Sequence, residues 1–154
     1  MWSGSAACRS VTVLSVTPRA FGHAKYLDPT SFNDLVVQQF APVAETGSLS
    51  GPITSDYQVA YSEPRFSVRV MYDDVDGRVE TLIEAAVRGR QLRARLSCLY
   101  VKAGLGAAQA IREIARSQHS LEVSARSQAS ALLALLPVLR GTELESLLLS
   151  CLGS

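Results

Sequence analysis

Apolar residues recur along this chain with two periods, and the change of period divides it. Between Ser31 and Phe40, residues Phe32, Leu35, Val36 and Phe40 fall three or four positions apart with Asp34 and Gln38 outside the stripe, which predicts an amphipathic helix. Asp28-Pro29-Thr30-Ser31 precedes it as a turn-and-cap signal, because proline suits a first helical turn and short polar side chains satisfy its free amides. Pro42 limits its extension, and Glu45 to Pro52 reads as a loop.

The period then drops to two. Tyr57, Val59 and Tyr61 alternate with Gln58 and Ala60, Ser62-Glu63-Pro64 turns the chain, and Phe66, Val68, Val70 and Tyr72 alternate with Ser67, Arg69 and Met71. Asp76-Gly77 is a two-residue hairpin signal, and Arg78 to Ala86 forms the third strand. Pairing Val75 with Arg78 sets Tyr72 opposite Thr81, Val70 opposite Ile83, Val68 opposite Ala85, Met71 opposite Leu82 and Arg69 opposite Glu84.

Arg88-Gly89-Arg90 breaks the alternation. Leu92, Ala94, Leu96, Cys98 and Tyr100 alternate like a strand, whereas Leu92, Leu96, Leu99 and Ala103 fit a helix, and the segment is read as a short helix. Gly104-Leu105-Gly106 stops it, and Ala107 to Ser117 reads as another helix with Ile111, Ile114 and Ala115 inward. Leu121, Ala125, Gln128, Leu132, Leu135 and Leu139 predict a long helix, kinked by Pro137 and stopped by Gly141. Thr142-Glu143-Leu144-Glu145 has the form of a capping box before a terminal helix through Leu152. The expected fold is therefore α+β: an N-terminal helix, a three-stranded antiparallel meander, and a C-terminal helical half packed on the sheet.

Composition adds bounds. With 154 residues, 47% hydrophobic and a net charge of +1, the chain fits a single globular domain over 28–154, preceded by a flexible leader over 1–27. The leader holds Arg9, Arg19 and Lys25 and no acid, but its apolar centre, Val11 to Val16, is too short for a targeting peptide. No run reaches the roughly 18 apolar residues of a membrane-spanning helix. Cys8, Cys98 and Cys151 are widely spaced, odd in number and never in a CxxC pair, which implies neither a disulfide framework nor a zinc site and suits a reducing cytoplasm.

The near-neutral total hides a segregation. Residues 28–84 balance at −7 and residues 86–140 at +7. Two halves of one domain attracting each other explain the split, and a basic face for nucleic acid or acidic partners is the alternative. Arg88, Arg90, Arg93 and Arg95 would carry that alternative, although Tyr100 is the sole aromatic in the basic half.

Other chemistry is sparse. Asp74-Val75-Asp76-Gly77 fails as a calcium loop, because that register puts Tyr72 at the first ligand and Ile83 where a bidentate Glu belongs. Gly47-Ser48-Leu49-Ser50-Gly51 has Leu49 where a nucleophile elbow needs its nucleophile, and Gly104-Leu105-Gly106 lacks the third glycine of a dinucleotide loop. Neither a metal site nor a cofactor is expected. A thiol at Cys98 with His119 as base would make a cryptic hydrolase, against the plainer reading of a buried cysteine, and His23 has no evident partner.

Tyr61-Ser62 to Tyr72-Asp73 (YSEPRFSVRVMYD), the hairpin to Val79, and Leu99 to Gly106 with the Leu-rich tail resemble small uncharacterised α+β proteins of actinobacteria, some similar to immunity proteins of toxin systems. The resemblance spans about residues 28–153, and thirteen Arg against two Lys match a GC-rich genome. It implies a non-enzymatic protein-binding module that neutralises a toxin by direct contact. Tyr57, Tyr61, Arg69, Asp73, Asp74 and Glu80 are the expected contact residues, since Tyr offers large area with a polar tip and the acidic hairpin offers charge complementarity.

Overall fold

The computed structural model describes residues 26–152. The expected leader falls mostly outside that span, as do Cys8 and His23, whereas Tyr26 and Leu27 pack against the folded domain.

Helix α1 (Pro29–Thr46) begins where the cap signal puts it. The Asp28 carboxylate accepts from the Ser31 amide at 3.2 Å, and hydrogen bonding from Ser31 holds that carboxyl below its usual range. The helix runs past Pro42 because Pro42 and Gln38 lie on the exposed side, so the carbonyl that loses an amide partner faces water.

The sheet has five antiparallel strands in sequence order, not three: β1 (Ser50–Ser55), β2 (Gln58–Glu63), β3 (Phe66–Asp73), β4 (Arg78–Val87) and β5 (Arg90–Arg95). Both unexpected strands are edges. All six residues of β1 are exposed, so it has no buried alternation to announce it. The segment read as one short helix from Leu92 divides at Arg95/Leu96 into β5 and helix α2 (Leu96–Lys102), and each period holds in its own half.

The β3–β4 register also differs, by two residues. Tyr72 faces Val79, Val70 faces Thr81, Val68 faces Ile83, Met71 faces Glu80 and Arg69 faces Leu82. Asp73 Oδ1 accepts from the amides of Val75 and Asp76 at 3.0 and 3.1 Å, and the Gly77 amide returns to the Asp73 carbonyl at 2.8 Å. These bonds build a four-residue loop in place of a two-residue turn. Gly77 closes it at φ +66°, where a Cβ would also lie 2.8 Å from the Tyr26 ring. A slip of two leaves each side chain on its expected face.

Residues 107–117, expected to be helical, instead form a short 3₁₀ turn (Ala108–Ala110) and an extended stretch. Side chains of helix α3 (Gln118–Leu139) hold that stretch open. Ser127 accepts from the Arg112 amide, Ser124 donates to the Ile114 carbonyl, and Gln128 Nε2 donates to the carbonyls of Arg112 and Val79. Arg78 and Ile114 then bridge like a strand pair. Gln128 is 1% exposed and also accepts from the Thr81 hydroxyl at 2.6 Å, so a buried polar side chain joins helix, sheet and loop with its groups satisfied.

Helix α4 (Leu144–Ser150) starts from Glu143 without a side-chain cap, so the expected capping box does not form and the helix ends before Leu152. Cys98 in α2 is joined to Cys151, just past α4, with Cα atoms 6.1 Å apart across 53 residues of sequence. This disulfide overturns the expectation that the cysteines stay unpaired.

Helices α1 and α3 pack on each other and on the sheet's inner face, which carries Val59, Tyr61, Phe66, Val68, Val70, Tyr72, Val79, Ile83, Leu92 and Ala94, all buried. Two arginines close one end. Arg65 donates to the Arg140 and Gly141 carbonyls at the α3 C-terminus, and Arg140 reaches Glu63 and the Gly47 carbonyl.

Candidate protein-binding surface

The outer face of the same sheet is open to solvent and is built from three cross-strand rows. Ile53, Ala60, Arg69, Leu82 and Arg95 form the central row, flanked by Ser55, Gln58, Met71 and Glu80 on one side and Ser62, Ser67, Glu84 and Arg93 on the other. Ile53 is 73% exposed, and the side chains of Arg95 and Arg93 are at least half exposed. Its charged residues lie on β3, β4 and β5, and its β1–β2 side carries Ser, Gln, Ala and Ile.

Its charges are mutually engaged. Glu84 lies between Arg69 at 2.8 Å and Arg93 at 3.6 Å, and Glu80 meets Arg95 at 2.6 Å. Arg88 pairs with Glu145 at 2.9 Å. Three of the four clustered arginines therefore hold carboxylates, while Arg90 is exposed at the start of β5 with no ion pair among the described residues. Arg93, Arg95 and Arg140 each reach an acid of the 28–84 segment, so attraction between the two halves accounts for part of the charge split.

The β3–β4 loop stands at one end of this face. Asp73 is spent on the loop amides, whereas Asp74 and Asp76 make no ion pair among the described residues. Between them Val75 is 64% exposed. The loop is braced from behind: the Gly77 carbonyl accepts from Ala115, Arg116 Nε donates to the Asp76 carbonyl at 3.2 Å, and Arg78 pairs with Glu113. The Glu113 contact raises the Arg78 pKa further. Asp56 is exposed in the adjacent β1–β2 turn. Met71, Asp73, Asp76, Arg78, Glu80 and Arg95 line a depression of about 280 Å³ between loop and face.

Of the six expected contact residues, Arg69, Asp73, Asp74 and Glu80 lie on the face or its loop. Tyr57 and Tyr61 do not. They are 6% and 2% exposed on the helix side, where Tyr57 approaches Tyr72 at 5.3 Å, Tyr72 stacks on Phe32 at 4.8 Å, and Tyr61 stacks on Phe40 at 6.2 Å. Tyr57 donates to the Leu27 carbonyl, and Tyr72 donates to Ala115 at 2.6 Å. Burial pushes the phenol pKa of Tyr61 and Tyr72 up to about 12, with Tyr57 and Asp74 adding to the second. Their shared parity with Val59, Val68 and Val70 was the available signal that these rings face inward.

Cys98, bonded to Cys151, has no free thiolate to serve as a nucleophile, and His119 is exposed on the first turn of α3. Among the described residues no group of His, Cys, Asp and Glu side chains is placed to hold a metal ion. No described helix is long and apolar enough to cross a membrane. No family model matches the chain, and no match is found among curated proteins or solved structures.

Proposed function

We propose that this chain is a non-enzymatic protein-binding module that docks a basic partner through the β3–β4 loop and the adjoining outer sheet face, as an immunity-type protein docks its toxin. One observation carries the reading: Val75 is exposed between the unpaired carboxylates of Asp74 and Asp76, on a loop already held by the Asp73 carboxylate and residues 113–116. A rigid apolar contact ringed by charge loses little entropy on binding and steers a partner of opposite sign. The paired charges of Arg69, Glu84, Glu80 and Arg95 would form the polar surround.

The test is capture from a lysate of the source cells on immobilised wild-type protein, on Asp74→Lys/Asp76→Lys and on Arg90→Glu, with bound species identified by mass spectrometry. A stoichiometric protein lost from the Asp74→Lys/Asp76→Lys column and kept by Arg90→Glu supports the proposal. Nucleic acid retained by wild type and lost with Arg90→Glu contradicts it.

A further inference from the structure

Strand β5 ends the sheet, and no further strand pairs with it. Which of its backbone groups face outward follows from the ladder. The Tyr72 amide donates to the Tyr57 carbonyl, so Tyr72, Val70 and Val68 bond toward β2, and the residues between them, Met71 and Arg69, bond toward β4. Carried through the next register, the same alternation turns Glu80, Leu82 and Glu84 toward β3, and Val79, Ile83, Ala85 and Val87 toward the β5 side. Val79 lies beyond the end of β5, and its amide on that side donates to the Glu113 carbonyl at 2.8 Å. Ala94, Leu92 and Arg90 therefore bond to Ile83, Ala85 and Val87, which leaves the amides and carbonyls of Gln91 and Arg93 directed away from the sheet. No turn, loop or cap bond among the described residues takes them.

The opposite edge is blunted. Strand β1 carries Pro52, which has no amide to offer, and its register shifts between Ser50 and Ile53. Strand β5 has neither a proline nor a shift, and its pairing runs unbroken from Arg90 to Arg95. A regular edge of this kind is a template for one more strand.

Charge selects that strand. Arg90 is exposed with no ion pair among the described residues, the Arg88 side chain is 81% exposed, and Arg93 stands 3.6 Å from Glu84, too far for a hydrogen bond. Strand β5 itself holds no acid, so pairing it with β5 of a second copy would set three arginines against three. An acidic strand gains both backbone pairing and attraction, whereas a nucleic acid, lacking alternating N–H and C=O groups, gains only attraction. We infer that β5 is a docking edge for an extended acidic segment of a partner protein, which joins the sheet as a sixth strand by pairing its main chain with Gln91 and Arg93 and its carboxylates with Arg90 and Arg93. This edge is separate from the β3–β4 loop and takes a segment of opposite charge from the partner proposed there, so the two readings fail separately.

The test titrates the full chain with the peptide Ac-Glu-Val-Glu-Val-Glu-Val-Glu-amide, followed by backbone amide chemical shifts and hydrogen exchange. Without peptide, the Leu92 and Ala94 amides should exchange slowly and those of Gln91 and Arg93 fast; saturating peptide should shift and slow the second pair. The same peptide N-methylated at every residue keeps the charge and loses its donors, and should bind at least about tenfold more weakly. Arg90→Glu should weaken binding of the unmodified peptide several-fold, more at low salt. Slow exchange of Gln91 and Arg93 in the free protein, absence of saturable shifts at these amides, or equal affinity for the N-methylated peptide overturns the inference. So does tighter binding at these amides by a thymidine heptanucleotide, which would make the edge a nucleic-acid contact, or equal binding by the peptide with lysine in place of glutamate.

Discussion

The two faces of this sheet obey the same two-residue alternation and do opposite work. On the inner face Val68, Val70, Val79 and Ile83 are fully buried beneath α1 and α3, whereas on the outer face their sequence neighbours Arg69, Met71, Glu80 and Leu82 retain contact with water. Burial makes the inner face costly to change, because each lost methylene removes transfer energy and leaves a void. The outer face gains little from the exposed Glu80–Arg95 pair, which water and salt screen, whereas Glu84 is buried between Arg69 and Arg93. Exposed positions of the outer face can therefore change at less cost to the core than positions of the inner face.

Adjacent residues of β4 give the sharpest test of that separation. Ile83→Ala should cost about 2–5 kcal/mol of unfolding free energy, whereas Leu82→Ala should cost under about 1.5 kcal/mol, as measured by urea titration. Equal losses would mean that something covers the outer face.

The disulfide links α2 to α4 at the β5 edge of the inner layer and closes 53 residues of sequence. The double variant Cys98→Ser/Cys151→Ser should lose about 2–5 kcal/mol, chiefly because its unfolded chain is freer, and thermal melts with and without reductant measure this. Wild type in reductant should approach the variant.

The buried tyrosines make the inner face sensitive to alkali. Burial raises the pKa of folded Tyr61 and Tyr72 to about 12 from an ordinary value of 10.0, so the folded state binds more protons than the unfolded state between those values. Their contribution is complete below the unfolded pKa and is lost as pH rises through the folded one. Stability should fall from about pH 10 to 12, less steeply in Tyr61→Phe, as followed by urea midpoints across that range.

The smallest effect belongs to the outer face. Glu80→Gln, which removes the partner of Arg95, should change stability by less than about 1 kcal/mol, with a smaller difference in high salt.

What the sequence made legible follows the same division. Strands β2, β3 and β4 declare themselves because one face of each is apolar, and parity survives the two-residue slip produced by the Asp73 carboxylate. Strand β1 is exposed on every residue and leaves no periodic trace. Around Leu92 and Leu96 the two periods overlap, so a strand running directly into a helix imitates a single element. Residues 111–116 are extended because Ser124, Ser127 and Gln128, distant in sequence, take their backbone bonds. The Cys98–Cys151 pairing spans 53 positions without a spacing motif.

The candidate surface was legible to the same extent. Arg69 and Glu80 could be placed by alternation, whereas Asp76-Gly77 marked a turn but not the four-residue loop that the Asp73 carboxylate builds. Tyrosine's preference for interfaces places Tyr57 and Tyr61 on a contact surface, yet they share parity with Val59 and point into the core. Which carboxylates remain unpaired depends on the fold, because Glu80 and Glu84 meet arginines of β5 across the sheet.

The most direct measurement compares the affinity of the captured partner for wild type, Asp74→Lys/Asp76→Lys and Arg90→Glu by titration calorimetry at two salt concentrations. The proposed docking mode requires the double charge reversal to weaken binding at least about tenfold, more at low salt, with the melting temperature unchanged and Arg90→Glu close to wild type. Undiminished binding by the double variant would contradict it.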